Sequence, residues 1–181
     1  ADLPVPARGA DSDDAIGFIV EACRANEGIV LVPTGPLTNI ALALRAAPDL
    51  AGRIAGISLM GGGTFGNRSF VAEFNIWADP EAAAVVFGCG APLTMAGLDV
   101  THQLIVTPER IADIDAVATE RSSHFAAVLA DLFRFFSSTY IKRHDDIAGA
   151  ALHDPLAVMA VTHPELFGAT NRHVVVETRG E

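Results

Sequence analysis

The stretch "VAEFNIWADPEAA" at 71–83 sets a carboxylate, Glu73, and an amide, Asn75, on either side of Phe74. Read as extended chain, it alternates, so Glu73 and Asn75 share one face while Phe74 and Ile76 take the other. Just upstream, "GGGTFG" (61–66) reads as a flexible turn at a strand end, followed at once by Asn67. Three acceptor-rich side chains then gather beside backbone that can approach a ligand closely. Carboxylates and amides so placed suit a polyol, because they take paired hydrogen bonds from its hydroxyls in a closed pocket. The plain alternative is that Glu73 and Asn75 decorate the wet face of an edge strand.

Two further stretches carry candidate chemistry. In "PTGPLTN" (33–39) the Gly35-Pro36 pair forces a tight turn, leaving carbonyl oxygens outside regular pairing where a hard cation could use one. Capping of the next helix by Thr34 and Thr38 is the competing account. His153-Asp154-Pro155 also reads two ways. Asp154 could be an N-cap with Pro155 at the first helical position, or His153 and Asp154 could be a proton donor beside an oxygen ligand for a metal. His102, His124, His144, His163 and His173 show no metal-ligand spacing and read as surface or core. Residues 61–66 also match G-x-G-x-x-G, yet no helix start follows directly, which argues against a bound dinucleotide.

These groups need elements to hold them. The spacing of Ile16, Ile19, Val20 and Cys23 predicts a helix from about Asp11 to Asn26, capped by Asp11 or Ser12, and "IVLV" (29–32) reads as a buried strand. A helix ending before Pro48 and the strand "IAGISLM" (54–60) follow. Asp79-Pro80-Glu81 opens a helix, "PLTMAGLDV" (92–100) reads as a strand, and Thr107-Pro108-Glu109 opens another helix. Residues 122–143 predict a long amphipathic helix carrying Phe125, Leu129, Leu132, Phe133 and Phe136. Asp154-Pro155 starts a last helix, and "HVVVET" (173–178) reads as a closing strand. Such alternation predicts an α/β fold: an open, mainly parallel β-sheet flanked by helices on both faces, with functional groups at the carboxyl ends of the strands.

With 181 residues, half of them hydrophobic, the chain is expected to form a single α/β domain over 1–181. A net charge of −10 argues against nucleic acid and leaves a neutral or cationic small molecule as the easier partner. Cys23 and Cys89 belong to no metal or redox spacing and read as buried thiols. No signal-peptide pattern opens the sequence and no apolar run is long enough to span a bilayer, so a cytoplasmic protein without membrane contact is expected.

Taken together, these stretches resemble the inosine-uridine preferring nucleoside hydrolase family. The resemblance rests on "LVPTGPLTNIALAL" (31–44), "ISLMGGGTFGN" (57–67), "VAEFNIWADPEAAAVVF" (71–87), "APLTMAGLDVTHQ" (91–103) and "LHDPLAV" (152–158). They stand in the family's order, with similar separations, over essentially the whole chain. The resemblance implies a salvage enzyme that hydrolyses the N-glycosidic bond of ribonucleosides to free base and ribose, with one Ca²⁺. It also implies that Thr34 lends its backbone carbonyl and Asp154 its carboxylate to Ca²⁺, and that Met60, Asn67, Glu73 and Asn75 line the ribose pocket. His153 would stand near the leaving base, as general acid or base contact. Anionic and amide oxygens around the sugar would stabilise the oxocarbenium character of the transition state.

The chain departs from the family pattern in one respect. The Asp-rich opening D-T-D-P-G-x-D-D has no counterpart, since "ADSDDAIG" (10–17) precedes a helix instead of ending a strand. The expectation is a family member without its N-terminal part and some of its C-terminal part, which the Ala at position 1 fits. Ca²⁺ takes six to eight oxygens, so such a chain would hold it weakly and be impaired as a hydrolase. An uncovered sheet edge would favour a homo-oligomer, a dimer or tetramer. Tyr140 and His144, in the segment "TYIKRHDDIAGAAL" (139–152), are candidates to face the base. A non-catalytic ribose- or nucleoside-binding domain, or an inactive fragment, is the second reading.

Overall fold

The computed structural model describes residues 8–141 and 149–179. In chain order the elements begin α1 (Ala15–Ala25), β1 (Val30–Leu31), α2 (Thr38–Ala46), β2 (Gly56–Met60), α3 (Phe74–Ala78), α4 (Pro80–Phe87), β3 (Leu93–Ala96) and α5 (Leu98–Thr101). They continue with β4 (Ile105–Val106), α6 (Pro108–Glu120), α7 (His124–Ile141), β5 (Ala150–Ala151) and α8 (Asp154–Thr162). The chain divides into two compact units, Ala10–Thr101 with His153–Glu181, and Ala1–Gly9 with His102–Leu152.

The first unit is built on a parallel sheet of order β1-β2-β3, with Val30 opposite Gly56 and Met60 opposite Ala96. All five residues of β2 are buried, as a central parallel strand covered on both faces requires. Ile57 and Leu59 pack with Ile40, Leu44, Ala83 and Val86 of α2 and α4. Ser58 points the other way, and its buried hydroxyl donates to Ala157 O at 2.7 Å, fastening α8 to the opposite face. The fold is therefore α/β, with helices on both sides of a parallel sheet.

Several predicted elements are corrected. The first helix starts at Ala15, because Asp14 accepts from Gly17 N at 2.8 Å while Ser12 Oγ caps the turn before it. The strand expected over 92–100 ends at Ala96, after which α5 forms. Residues 173–178 form no strand: the β-branched run has no partner ladder among the described residues, and a strand needs one. "VAEFNIW" is not extended either. Helix α3 takes over at Phe74 because side chains cap its first turn, which outweighs the β-propensity of Phe, Ile and Trp. Neither Thr34 nor Thr38 caps α2; its N-cap is Leu37, without a side-chain bond. Of the two thiols, Cys23 is buried and its pKa is pushed up by desolvation, whereas Cys89 is half-buried.

The second unit pairs β4 with β5 antiparallel and packs α6 on α7. Its core joins Val106, Ile111 and Ala130 with Phe133 and Leu152. Of the large residues expected on the amphipathic α7, Phe133 packs into this core, whereas Phe125, Leu132 and Phe136 are exposed. Phe125 is 76% exposed, whereas the buried positions are the small Ala126, Ala130 and Ser137. Small side chains at this spacing let α6 approach closely, and Phe125, Leu132 and Phe136 are displaced outwards. No helix among the described residues is long and apolar enough to cross a membrane.

Candidate active site

Glu73 is the N-cap of α3, with extended backbone at φ −80° and ψ 147°. It is 3% exposed, and one carboxylate oxygen, Oε2, accepts from Asn75 N at 2.9 Å, Ile76 N at 3.1 Å and Gly62 N at 3.1 Å. That single atom ties the start of a helix to the Gly-rich turn. The other oxygen, Oε1, accepts nothing among the described residues. The wet-edge-strand alternative is thereby removed, because Glu73 lies inside and Phe74 outside.

Asn75 sits one turn position further and is 8% exposed. Its Nδ2 donates to Met60 O at 3.0 Å and reaches Met60 Sδ at 3.3 Å and Thr34 O at 3.4 Å. The amide therefore bridges the carboxyl ends of β1 and β2. Met60 N in turn donates to Pro33 O at 3.0 Å, holding the Thr34 turn to the strand. Asn67 joins from the loop, its Oδ1 accepting from Phe74 N at 2.8 Å. Gly62 is at φ +71°, and a Cβ there would stand 2.9 Å from Met95 Sδ, so the turn requires glycine.

His153 and Asp154 come from the start of α8. His153 occupies the N-cap without a side-chain cap bond, and Asp154 is the first helical residue, so the N-cap account of Asp154 does not hold. No hydrogen bond to its carboxylate is present among the described residues. Burial raises the pKa of Asp154, and the neighbouring charge of Glu73 raises it further. The acids at the starts of α3 and α8 are thus near enough to repel, and the Thr34 carbonyl meets the Asn75 amide. Oxygen donors and negative charge beside an imidazole suit hydroxyl groups or a hard cation.

Sequence reasoning missed the group that anchors His153. Thr101, fully buried at the end of α5, places Oγ1 2.8 Å from His153 Nδ1. At the other end of α5, Leu98 N donates to Gly62 O at 2.9 Å. Asp99 accepts from Thr64 N at 3.0 Å and from its hydroxyl, clamping the Gly-rich turn. An acid three residues past a strand end is a weak signal for Asp99; nothing in residue type or spacing singles out Thr101.

Other candidates are not drawn in. His144 and the side chain of Tyr140 lie outside the described residues. His124, His163 and His173 are exposed, and His102 is half-buried. Among the described residues no group of three or more His, Cys, Asp or Glu could hold a metal ion.

Residues 1–181 match the family described as inosine-uridine preferring nucleoside hydrolase. A pyrimidine-specific ribonucleoside hydrolase RihA of Shewanella woodyi is 43% identical over 181 residues, covering 99% of this chain and 57% of that enzyme. RihA of Escherichia coli is 39% identical with the same coverage, 99% and 57%. The chain thus spans little more than half the length of these relatives. A solved purine-preferring ribonucleoside hydrolase from Gardnerella vaginalis superposes with a TM-score of 0.84 at 38% identity, over 91% of this chain and 52% of that one. A plant nucleoside hydrolase gives 0.79 at 32%, over 90% and 52%.

Proposed function

The chain belongs to the inosine-uridine preferring nucleoside hydrolase family, and from that premise we propose that it carries the ribose-binding part of an enzyme that hydrolyses ribonucleosides to base and ribose. The observation that carries the reading is Glu73: a carboxylate 3% exposed whose Oε2 is committed to three backbone donors while Oε1 is not. An acid buried at that cost suits a role beyond capping.

In this reading Glu73 Oε1 and the Asn75 amide oxygen accept hydrogen bonds from ribose hydroxyls. As the glycosidic bond breaks, positive charge grows on the sugar ring, and these fixed oxygens stabilise it more than the ground state. Met60 and Asn67 shape the pocket wall, Met60 by packing and Asn67 by fixing the start of α3. His153 meets the leaving base, easing its departure as acid or hydrogen-bond donor. Calcium fits the donor chemistry, since Thr34 O and the Asp154 carboxylate are oxygen ligands of the kind it takes; when bound, it orients the diol and activates water. Two such donors fall short of the six to eight it prefers, so we expect weak binding and impaired turnover by this chain.

A second reading is a non-catalytic ribose- or nucleoside-binding domain, favoured by the backbone bonds of this chain that hold Glu73 and Asn75 in place. Calorimetry with ribose, then inosine and uridine, with and without Ca²⁺, separates the two. Ca²⁺-dependent ribose binding supports the hydrolase reading, and binding indifferent to Ca²⁺ supports the other. Asn75→Ala should weaken ribose binding by roughly tenfold or more, matching loss of one pre-organised contact; unchanged binding removes Asn75 from the pocket. A cytoplasmic location and a dimeric or tetrameric assembly complete the proposal.

A further inference from the structure

The part-buried contact of Thr101 with His153 bears on which ring nitrogen holds the proton. Its bearing on the reaction rests on the reading of His153 as the group that meets the leaving base. Thr101 is 0% exposed and its Oγ1 has one hydrogen-bond partner among the described residues, His153 Nδ1 at 2.8 Å. A hydroxyl shut away from water carries an uncompensated desolvation penalty if its hydrogen finds no acceptor. With Nδ1 as its partner, the hydroxyl must donate, so Nδ1 must accept and the ring proton resides on the other nitrogen.

We propose that Thr101 is a positioning residue which holds His153 in its Nε2–H tautomer, so that Nε2 is the donor offered to the leaving base. Its anchorage supports that role. Helix α5 is held at one end by Leu98 N on Gly62 O and by Asp99 on Thr64, and Thr101 N bonds Gly97 O at 3.1 Å at the other. A β-branched side chain there has few rotamers, so Oγ1 stays aimed at the ring. The same four-residue helix therefore couples the ribose-side turn to the imidazole. A histidine whose second nitrogen is fixed by a third group is oriented as well as set in tautomer.

The test is two-bond ¹H–¹⁵N correlation of the histidine rings in the full chain, at alkaline pH. His153 of the wild type and of Thr101→Ser should show the Nε2–H pattern alone. Thr101→Val, nearly isosteric but without a hydroxyl, should show exchange-averaged ring signals shifted toward a mixture of both tautomers. An Nδ1–H pattern in the wild type, or a Thr101→Val spectrum identical to it, overturns the proposal. His153→Ala addresses the underlying reading separately. If that variant handles inosine and uridine as the wild type does, His153 does not meet the base, whatever its tautomer.

Discussion

Replacing Glu73 by Ala and by Gln should have very different effects on stability. In Glu73→Ala, three N–H groups lose their acceptor at once: Asn75 and Ile76 in the first turn of α3, and Gly62 in the turn. Loss of a side-chain N-cap costs about 0.5–2 kcal/mol, and a part-buried orphan donor adds roughly 1–3. The sum is about 1.5–5 kcal/mol, which for a chain of this length lowers Tm by about 3–20 °C. Gln keeps a carbonyl oxygen within reach of the same donors. It loses charge assistance, roughly 1 kcal/mol, and regains part of that by ending the repulsion that raises the Asp154 pKa. Urea unfolding at neutral pH, with m-values compared, measures both variants. If Glu73→Ala costs no more than Glu73→Gln, Oε2 is not the tie between helix and turn. Ribose calorimetry on the folded Gln variant then isolates Oε1, whose charge should matter for binding even where stability survives.

Three other perturbations have defined signs. The Thr38 hydroxyl at 2.5 Å, then Ala82 N–H at 3.0 Å, hold the Asp79 carboxyl below the ordinary carboxylate range. Its contribution is therefore present above the unfolded pKa and lost as pH falls through the lowered folded value. Asp79→Ala should cost about 0.5–2 kcal/mol in urea melts at neutral pH, and the difference from wild type should shrink as pH falls below the ordinary carboxylate range. Ser137 Oγ is buried without a hydrogen-bond partner among the described residues, so Ser137→Ala should raise Tm, by up to about 1 kcal/mol of stability. Asp154→Asn removes one of two repelling acids; with solvent screening the gain in metal-free stability is a few tenths of a kcal/mol. Thermal melts should show that gain together with loss of any Ca²⁺-induced rise in Tm.

What the sequence made legible follows the reach of each signal. Helix starts written as Asp-Pro-Glu at 79–81 and Thr-Pro-Glu at 107–109 appear as read, with Asp79 and Thr107 accepting from Ala82 N and Arg110 N. Those signals are local, so tertiary context had little to override. The buried strand β2 was legible for the same reason, being a short apolar run between turns. Long-range pairing was not. "HVVVET" has the composition of a strand, but composition does not supply a neighbour, and none is present among the described residues. In α7 the apolar periodicity is real, yet the helix buries its small residues and leaves Phe125 and Phe135 outside. At the site, Glu73 and Asn75 were expected on one face of a strand and are both buried through a capped helix. The period-two argument reached the right pair by a route the chain does not take.

The choice of Glu at position 73 can be argued from reach. N-caps favour Asn, Asp, Ser and Thr, whose short side chains bend back onto their own first turn. A Glu is one methylene longer, so its carboxylate reaches Gly62 N, eleven residues upstream, as well as its own helix. An Asp at 73 could cap α3 but would fall short of the turn, and a Gln would reach it without the charge. The carboxylate at 73 acts on Asp154 as well, lifting its pKa, an electrostatic cost that a cap alone would not require. A residue that departs from the local preference, joins two loops and sets one acid against another departs on several levels together, and such departures concentrate at functional sites. The tie through Oε2 therefore explains where the acid stands, and the reach to Gly62 N explains why a Glu stands there in place of an Asp.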